Sequence, residues 1–231
     1  MTRTPDLLVR SQTLYPTELR AHITSNSGTS VTLVRYAGPV KTPVETEVKI
    51  SVPTAAGIRR KLHQLGFKIG TPRQREQNTV LDDAKGGLRA NGLLLRVRLA
   101  GKTVLCTFKG PEAAGRIKKR VEREFEASNF DECVALFGGL GFQQTFYYEK
   151  FRTEFQRSGE PGHVTLDETP IGVFIELEGA PRWIASTSRE LGFAPDDWIN
   201  RSYAFLYFQW QAEMGGDATA MRFPKSKSKT K

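Results

Sequence analysis

The residues best suited to chemistry lie in a short alternating run, Glu45-Thr46-Glu47-Val48-Lys49-Ile50. Side chains alternate between the two faces of a β-strand. A strand here would therefore carry Glu45, Glu47 and Lys49 on one face, and Val48 and Ile50 on the other. Alternating strands usually turn their charges toward water, so the run by itself is typical of a solvated sheet surface.

The same alternation recurs in most of the other strand-like segments of the chain. Arg96 and Arg98 alternate with apolar residues, for example, and Phe151 separates Lys150 from Arg152. The basic residues of these charged faces are Lys49, Arg96, Arg98, Lys109, Arg120, Lys150 and Arg152. The acidic residues are Glu45, Glu47, Glu122, Glu124, Glu126, Asp167, Glu176 and Glu178.

Two architectures accommodate strands that have one charged and one apolar face. In an ordinary sandwich or barrel the apolar faces pack together and the charges face water. This chain also contains amphipathic helices, which need an apolar partner. If the helices cover the apolar faces from outside, the charged faces turn inward. We therefore predict an α+β, mainly β fold: a closed barrel with a charged lumen and helices packed on the outside.

The charges of such a lumen indicate its ligand. Enclosed charges are costly unless they are paired. Carboxylates without a converging His or Cys suit Mg²⁺ or Mn²⁺. Arginine forks and lysine ammonium groups suit successive phosphates. A polyphosphate bridged by a divalent metal ion fits both sets.

The elements that position these residues follow from periodicity and from capping residues. We expect Thr54 as the N-cap and Gly66 as the C′ residue of a helix with the apolar stripe Ile58, Leu62 and Leu65. The segment Leu-Gly-Phe recurs at residues 65–67, 140–142 and 191–193, each time where a predicted helix ends. Further strands are predicted over 74–82, 93–99, 103–109, 122–126, 144–155, 164–166 and 173–177, a helix over 200–211, and a possible short strand over 31–36.

Composition and charge restrict the class of protein. The 231 residues are 39% hydrophobic and carry a formal charge of +9, which favours an anionic partner. Four lysines in residues 225–231 account for part of that excess. The remainder is spread over strands, which makes a nucleic-acid partner less expected. The sequence has no apolar run long enough to cross a bilayer and no signal-peptide pattern, and its two cysteines lack metal-like spacing. We expect a cytoplasmic protein.

The ordered set of charged motifs resembles the CYTH superfamily, the triphosphate tunnel metalloenzymes. Glu45-Thr46-Glu47-Val48-Lys49 is similar to the E-x-E-x-K signature of that family. The later motifs are Arg96/Arg98, Thr107/Lys109, Lys150/Arg152, Asp167 and Glu176/Glu178. The resemblance covers residues from about 44 to about 211. It implies an eight-stranded antiparallel tunnel over residues 41–212, which leaves a polar N-terminal extension (1–40) and a disordered basic tail (213–231).

The resemblance also implies roles for the charged residues. Catalytic roles fall to Glu45, Glu47 and Lys49. Phosphate binding falls to Lys49, Arg96, Arg98, Lys109, Arg120, Lys150 and Arg152. Metal binding falls to Glu45, Glu47, Glu122, Glu124, Asp167, Glu176 and Glu178. The acidic run 122–126 matches the family pattern less cleanly, and the sequence leaves open which of Glu122, Glu124 and Glu126 lines the site.

The implied reaction is the Mg²⁺- or Mn²⁺-dependent hydrolysis of an inorganic, thiamine or nucleoside triphosphate. The main alternative is a class IV adenylyl cyclase, which makes cyclic AMP and pyrophosphate from ATP. A third hypothesis is a non-catalytic module that binds polyphosphate or RNA. The expected partner is a small molecule that contains a triphosphate. We expect no membrane partner, and members of the family often form homodimers.

Overall fold

A computed structural model of the protein describes residues 43–214 and 219–224. The predicted N-terminal extension, including the possible strand over 31–36, lies outside the described residues, as do 215–218 and 225–231. No helix in the described part is long and apolar enough to span a membrane.

Eight antiparallel strands form a closed barrel, as the sequence predicts. They are β1 (Val44–Val52), β2 (Lys68–Asp83), β3 (Leu94–Ala100), β4 (Thr103–Lys109), β5 (Lys118–Ala127), β6 (Phe142–Gln156), β7 (His163–Thr169) and β8 (Gly172–Glu178). The strand order is β6-β2-β3-β4-β5-β1-β8-β7, and the pairing of β6 with β7 closes the ring. The units β1–helix–β2 and β5–helix–β6 repeat one connection within this barrel.

Five α-helices, a 3₁₀ helix (Pro195–Asp197) and two further short strands complete the described chain. The helices are α1 (Ala55–Gln64), α2 (Gly87–Ala90), α3 (Phe130–Gly139), α4 (Pro181–Glu190) and α5 (Tyr203–Met214). The short strands are β9 (Trp198–Ile199), which pairs with β1, and β10 (Ala220–Met221), which pairs in parallel with β6.

Capping residues set the ends of the helices as the sequence predicts. The Thr54 hydroxyl accepts a hydrogen bond from the Gly57 N–H at 3.1 Å, which satisfies one free donor of the first turn. At the other end Gly66 has a φ of +84°, and the Phe67 N–H donates to the carbonyl of Leu62. Gly192 ends α4 in the same way, with a φ of +81°. The recurring Leu-Gly-Phe segments therefore turn the chain from a helix back toward the barrel.

The apolar strand faces point outward and are covered by helices. Ile50 of β1 and Leu177 of β8 are fully buried in one cluster with Leu62 of α1 and Ile184 of α4. On the opposite side of the barrel, α3 covers a second cluster around Val97. Each such side chain contributes about 1.5–3 kcal/mol on burial, so the outward faces supply the core. The charged faces turn inward as a consequence.

The C-terminal part of the chain differs from its predicted description. The last helix begins at Tyr203 rather than at residue 200, because Trp198 and Ile199 pair with β1. Met221, in the stretch predicted to be disordered, is fully buried in an aromatic cluster with Tyr207. The prediction of disorder is therefore wrong for residues 220–221, where apolar burial and pairing with β6 hold the chain.

Candidate active site in the barrel lumen

One cavity inside the barrel collects most of the predicted site residues. Its wall includes the predicted residues Glu45, Glu47, Lys49, Arg96, Arg98, Lys109, Arg120, Lys150, Arg152, Glu176 and Glu178. It also includes five residues that the sequence analysis did not assign: Leu94, Lys118, Tyr148, Ser202 and Tyr203. Eight basic side chains thus face four carboxylates across this lumen. The structure brings these side chains together from β1, β3–β6 and β8 and from the start of α5.

The register between β1 and β8 places opposite charges side by side. Lys49 lies directly across from Glu176, and its Nζ is 2.9 Å from a Glu176 oxygen. Burial alone would lower the pKa of Lys49, but Glu176 and Glu47 raise it above its usual value. Burial would raise the pKa of Glu176, and Lys49 and Arg152 instead hold it well below its usual range. Both groups are therefore charged at neutral pH.

A second ion-pair cluster surrounds Glu45. Lys109 Nζ lies 2.6 and 2.7 Å from the two Glu45 oxygens, and Arg120 Nε lies 3.3 Å from one of them. Lys118 pairs with the neighbouring Glu47 at 3.2 Å and lies across from it in the register of β1 and β5. Lys118 was not predicted, because the charged face of this strand was expected to begin at Arg120, two residues later.

The three glutamates of β5 have different surroundings in the structure. Glu122 lies 3.0 Å from Lys109 and 4.0 Å from Arg96. Glu124 accepts a hydrogen bond from the Thr107 hydroxyl at 2.7 Å and lies 3.7 Å from Arg96. Glu126 is exposed and makes no ion pair within the described residues. Glu122 and Glu124 therefore pair with basic residues of the lumen wall without lining the cavity themselves, and their implied role as metal ligands stays a prediction.

Asp167 lies behind the lumen wall and anchors its basic residues. It is fully buried and accepts hydrogen bonds from Lys150 at 2.9 Å, from Arg152 at 2.8 and 2.7 Å, and from the Tyr203 hydroxyl at 2.7 Å. Arg152 also contacts Glu176. Asp167 is not part of the cavity wall, and its implied role as a metal ligand stays a prediction.

Glu76 is a buried carboxylate that the sequence analysis did not single out. It is 2% exposed and lies 3.4 Å from Lys150, 3.4 Å from Arg98 and 3.9 Å from Arg152. Burial would raise the pKa of Glu76, but Lys150 and Arg98 hold it far below its usual range. Residues 74–80 of β2 pair with β6 without a register shift, but polar side chains occupy both faces of the strand there, so the alternation gives little signal.

Two tyrosine hydroxyls in the lumen wall have opposite surroundings. Burial raises the pKa of Tyr203 well above its usual value, and the charge of Asp167 adds to this effect. Lys49 Nζ also lies 4.2 Å from the centre of the Tyr203 ring. Burial would raise the pKa of Tyr148 as well, but Arg96, Arg98 and Lys150 lower it to about 8. The Tyr148 hydroxyl is therefore the more acidic of the two.

The lumen has little free space because its charged side chains pair with one another. Its free volume is about 70 Å³, which accommodates only a few water molecules. A ligand larger than a few water molecules would enter only if the internal ion pairs opened. A larger cavity of about 390 Å³ lies on the outside along α4, and Arg189 is the only charged residue of its wall. Size alone therefore does not identify the site.

The donor chemistry of the lumen suits a hard divalent cation. Glu47 and Glu178 lie directly across from each other on β1 and β8, and both face the cavity. Like charges in this position destabilise a sheet unless a cation lies between them. Within residues 43–214 and 219–224, no three acidic, imidazole or thiol groups converge as a ready-made metal site. Glu47 instead pairs with Lys118, while Glu178 lies 3.4 Å from His163 Nε2.

Comparisons with known proteins agree with this geometry. The model of the CYTH domain family matches residues 44–203. A Methanocaldococcus jannaschii protein named "Putative adenylate cyclase" is 24% identical over 136 residues, which cover 58% of this chain and 76% of that protein.

Solved structures share the fold. One, described as a putative adenylate cyclase from Vibrio parahaemolyticus, has a TM-score of 0.64 at 20% identity and covers 73% of this chain and 99% of its own. A second, from Hippeastrum, is described as a putative adenylyl cyclase with a dominant triphosphatase activity. It has a TM-score of 0.53 at 17% identity and covers 72% of this chain and 95% of its own. At these identities the likeness shows the fold alone.

Proposed function

The chain belongs to the CYTH family, and on this basis we propose that it hydrolyses a triphosphate in its lumen with the help of Mg²⁺ or Mn²⁺. The observation that carries the proposal is the convergence of eight basic side chains and four glutamates on one narrow cavity. An anion-binding module has no need of clustered carboxylates. The combination supports joint binding of a polyanion and a metal ion.

The basic residues supply binding and charge stabilisation. The arginine forks of Arg96, Arg98 and Arg152 suit two-point hydrogen bonds to phosphate oxygens. Lys49 and Lys150 present single positive charges in the same wall. Preorganised cations of this kind stabilise the charge that develops on the departing phosphate in the transition state. Asp167 and Glu76 keep Lys150 and Arg152 in position from behind.

The four glutamates of the wall would hold the divalent cation. These residues are Glu45, Glu47, Glu176 and Glu178, of which Glu47 and Glu178 already lie across from each other. A bound divalent cation supplies Lewis acidity and neutralises phosphate charge. Glu45 or Glu47 orients the attacking water by accepting its hydrogen bond. Lys109 and Lys118 balance these carboxylates until ligands bind.

Tripolyphosphate is the first substrate to test. The aromatic side chains of the lumen wall are Tyr148 and Tyr203, and the Tyr203 ring already packs beneath Lys49. The described wall therefore offers little surface on which a nucleobase or a thiamine ring could stack.

The experiment incubates the purified protein and Mg²⁺ or Mn²⁺ with tripolyphosphate, ATP or thiamine triphosphate, and resolves orthophosphate, pyrophosphate and cyclic AMP. We expect metal-dependent orthophosphate release that is lost in Glu47→Gln. The matched control is Glu190→Gln, because Glu190 pairs with Arg157 at the surface, outside the lumen wall. Orthophosphate release that persists in Glu47→Gln would contradict the proposal.

Adenylyl cyclase activity is the second candidate, and the names of the M. jannaschii and V. parahaemolyticus proteins favour it. The same basic residues and glutamates of the lumen wall would hold ATP with its 3′-hydroxyl directed at the α-phosphorus. Cyclic AMP formed in equal amount with pyrophosphate, without orthophosphate, would place this reaction first.

A further inference from the structure

Tyr148 lies in the lumen wall, on the inward face of β6. It precedes Lys150 by two residues, so both side chains point to the same side of the strand. The residue is 7% exposed, and its hydroxyl accepts a hydrogen bond from Arg96 Nη1 at 3.3 Å. No role was predicted for Tyr148 from the sequence.

The hydroxyl proton of Tyr148 has no acceptor within the described part of the chain. The charged groups that act most strongly on this hydroxyl are Arg96 and Arg98 from β3 and Lys150 from β6, and all three are hydrogen-bond donors. From the other neighbouring elements, Asn78 of β2 and Met221 of β10 lie across from Tyr148, and the ring of Tyr203 in α5 packs against its ring. A buried donor surrounded by cations is satisfied by an anionic oxygen that enters the cavity.

Tyr203 shows the contrasting case in the same cavity. Its hydroxyl donates to Asp167 at 2.7 Å and is therefore already engaged. When one phenol of a site donates to a buried carboxylate and the other has no acceptor, the first has a structural role and the second is available for proton transfer. Tyr203 is the structural one, and Tyr148 is the available one.

We propose that Tyr148 is a catalytic residue that hydrogen-bonds to a bound triphosphate and protonates the phosphate oxygen that leaves. This role rests on the proposed hydrolysis. The attacking water forms the new bond to phosphorus, and the bond from phosphorus to the bridging oxygen breaks. The Tyr148 proton passes to that bridging oxygen, and the water releases one proton to solvent, from which the phenolate is reprotonated. Until it is reprotonated, the phenolate is stabilised by the positive charges of Arg96, Arg98 and Lys150.

The first test measures contact without requiring turnover. The phenolate absorbance of the intact protein is titrated with pH, with and without tripolyphosphate and in the absence of metal. Because Arg96, Arg98 and Lys150 lower the pKa of Tyr148 to about 8, we expect one tyrosine to titrate near that pH. Bound phosphate should move this titration to higher pH, since its charge disfavours the phenolate and its oxygens accept the phenol proton.

Two variants identify the tyrosine in that titration. The step should be absent in Tyr148→Phe and unchanged in Tyr147→Phe. Tyr147 is the matched control because it is the adjacent residue on the other face of β6, where its hydroxyl donates to Glu149 at 2.9 Å. A titration near pH 8 that persists in Tyr148→Phe, or that tripolyphosphate does not move, would overturn the proposal.

The second test measures the pH dependence of hydrolysis. General acid catalysis typically contributes about 10²–10⁴-fold, so we expect kcat of Tyr148→Phe to fall by about 100-fold or more. The decline of the wild-type kcat/KM above pH 8, which reports the free enzyme, should disappear in this variant and remain in Tyr147→Phe. An unchanged rate and profile would overturn the proton-transfer step. Absence of wild-type turnover, with the spectroscopic shift intact, would overturn the proposed hydrolysis and this step, and leave Tyr148 as a ligand contact.

Discussion

Replacement of Asp167 by asparagine tests whether this buried carboxylate anchors the basic wall or binds metal. The change keeps the size of the side chain and removes its charge. Lys150, Arg152 and the Tyr203 hydroxyl all donate to Asp167, which is fully buried. Removal of one partner from a buried ion pair typically costs about 3–5 kcal/mol, because the remaining charges stay buried without compensation. We expect a loss of that size in the free energy of unfolding.

The assay is urea unfolding followed by the fluorescence of the three tryptophans. For a domain of this size, the same loss corresponds to a fall in Tm of roughly 6–20 °C. Tripolyphosphate without metal should restore more stability to Asp167→Asn than to the wild type, because its phosphates neutralise Lys150 and Arg152. The control is Asp196→Asn, since Asp196 and its partner Arg116 are 88% and 71% exposed and such pairs contribute little.

The reasoning would be refuted by a loss of less than about 1 kcal/mol, which is the range of an exposed pair. If that small loss came with weaker Mg²⁺ binding, Asp167 would be a metal ligand, as the family resemblance implies. If tripolyphosphate stabilised the variant and the wild type equally, Asp167 would not govern the charge of Lys150 and Arg152.

Two further predictions concern Lys118 and the thiols. In Lys118→Met, the buried Glu47 loses its cation, so we expect a loss of about 3–5 kcal/mol in the free energy of unfolding. Mg²⁺ should reverse most of this loss if it binds where the Lys118 ammonium group lies. Equal losses with and without Mg²⁺ in urea unfolding would argue against that position. Burial, with a contribution from Cys133, raises the pKa of the Cys106 thiol to about 12. Alkylation of the folded protein at pH 8, followed by mass spectrometry, should therefore modify Cys133 before Cys106. Equal rates of modification would contradict this order.

The alternation of charge and apolar residues, together with the amphipathic helices, predicted a closed barrel and most of its lumen, and the family resemblance supplied the number of strands. Glu45, Glu47 and Lys49 share a face because the strand period is fixed, and the same holds for Arg96 and Arg98. The amphipathic helices then decided which face points inward, because an apolar stripe such as that of α1 needs an apolar partner. The structure confirms this orientation.

Signals in the sequence are weaker where both faces of a strand are polar, where a charged run continues past the strand end, or where the element is short. Both faces of β2 are polar around Glu76, which hides its inward position, and the basic run before Arg120 conceals that Lys118 already belongs to β5. The strand β10 has only two residues, and β6 supplies its partners across more than 70 positions of sequence. The role of Tyr148 depends on which groups surround its hydroxyl, and residue type alone does not reveal that.

The most direct test is a calorimetric titration of the intact chain with tripolyphosphate, in the presence and absence of Mg²⁺. Because the carboxylates and the basic residues now neutralise one another, Mg²⁺ should free the basic residues for the phosphates. We expect one site per chain whose affinity rises with Mg²⁺ by about 5–150-fold, the usual range of coupling between two sites. Glu47→Gln should lose this gain and keep the metal-independent binding. An affinity that ignores both Mg²⁺ and the Glu47 substitution would contradict a joint metal and triphosphate site.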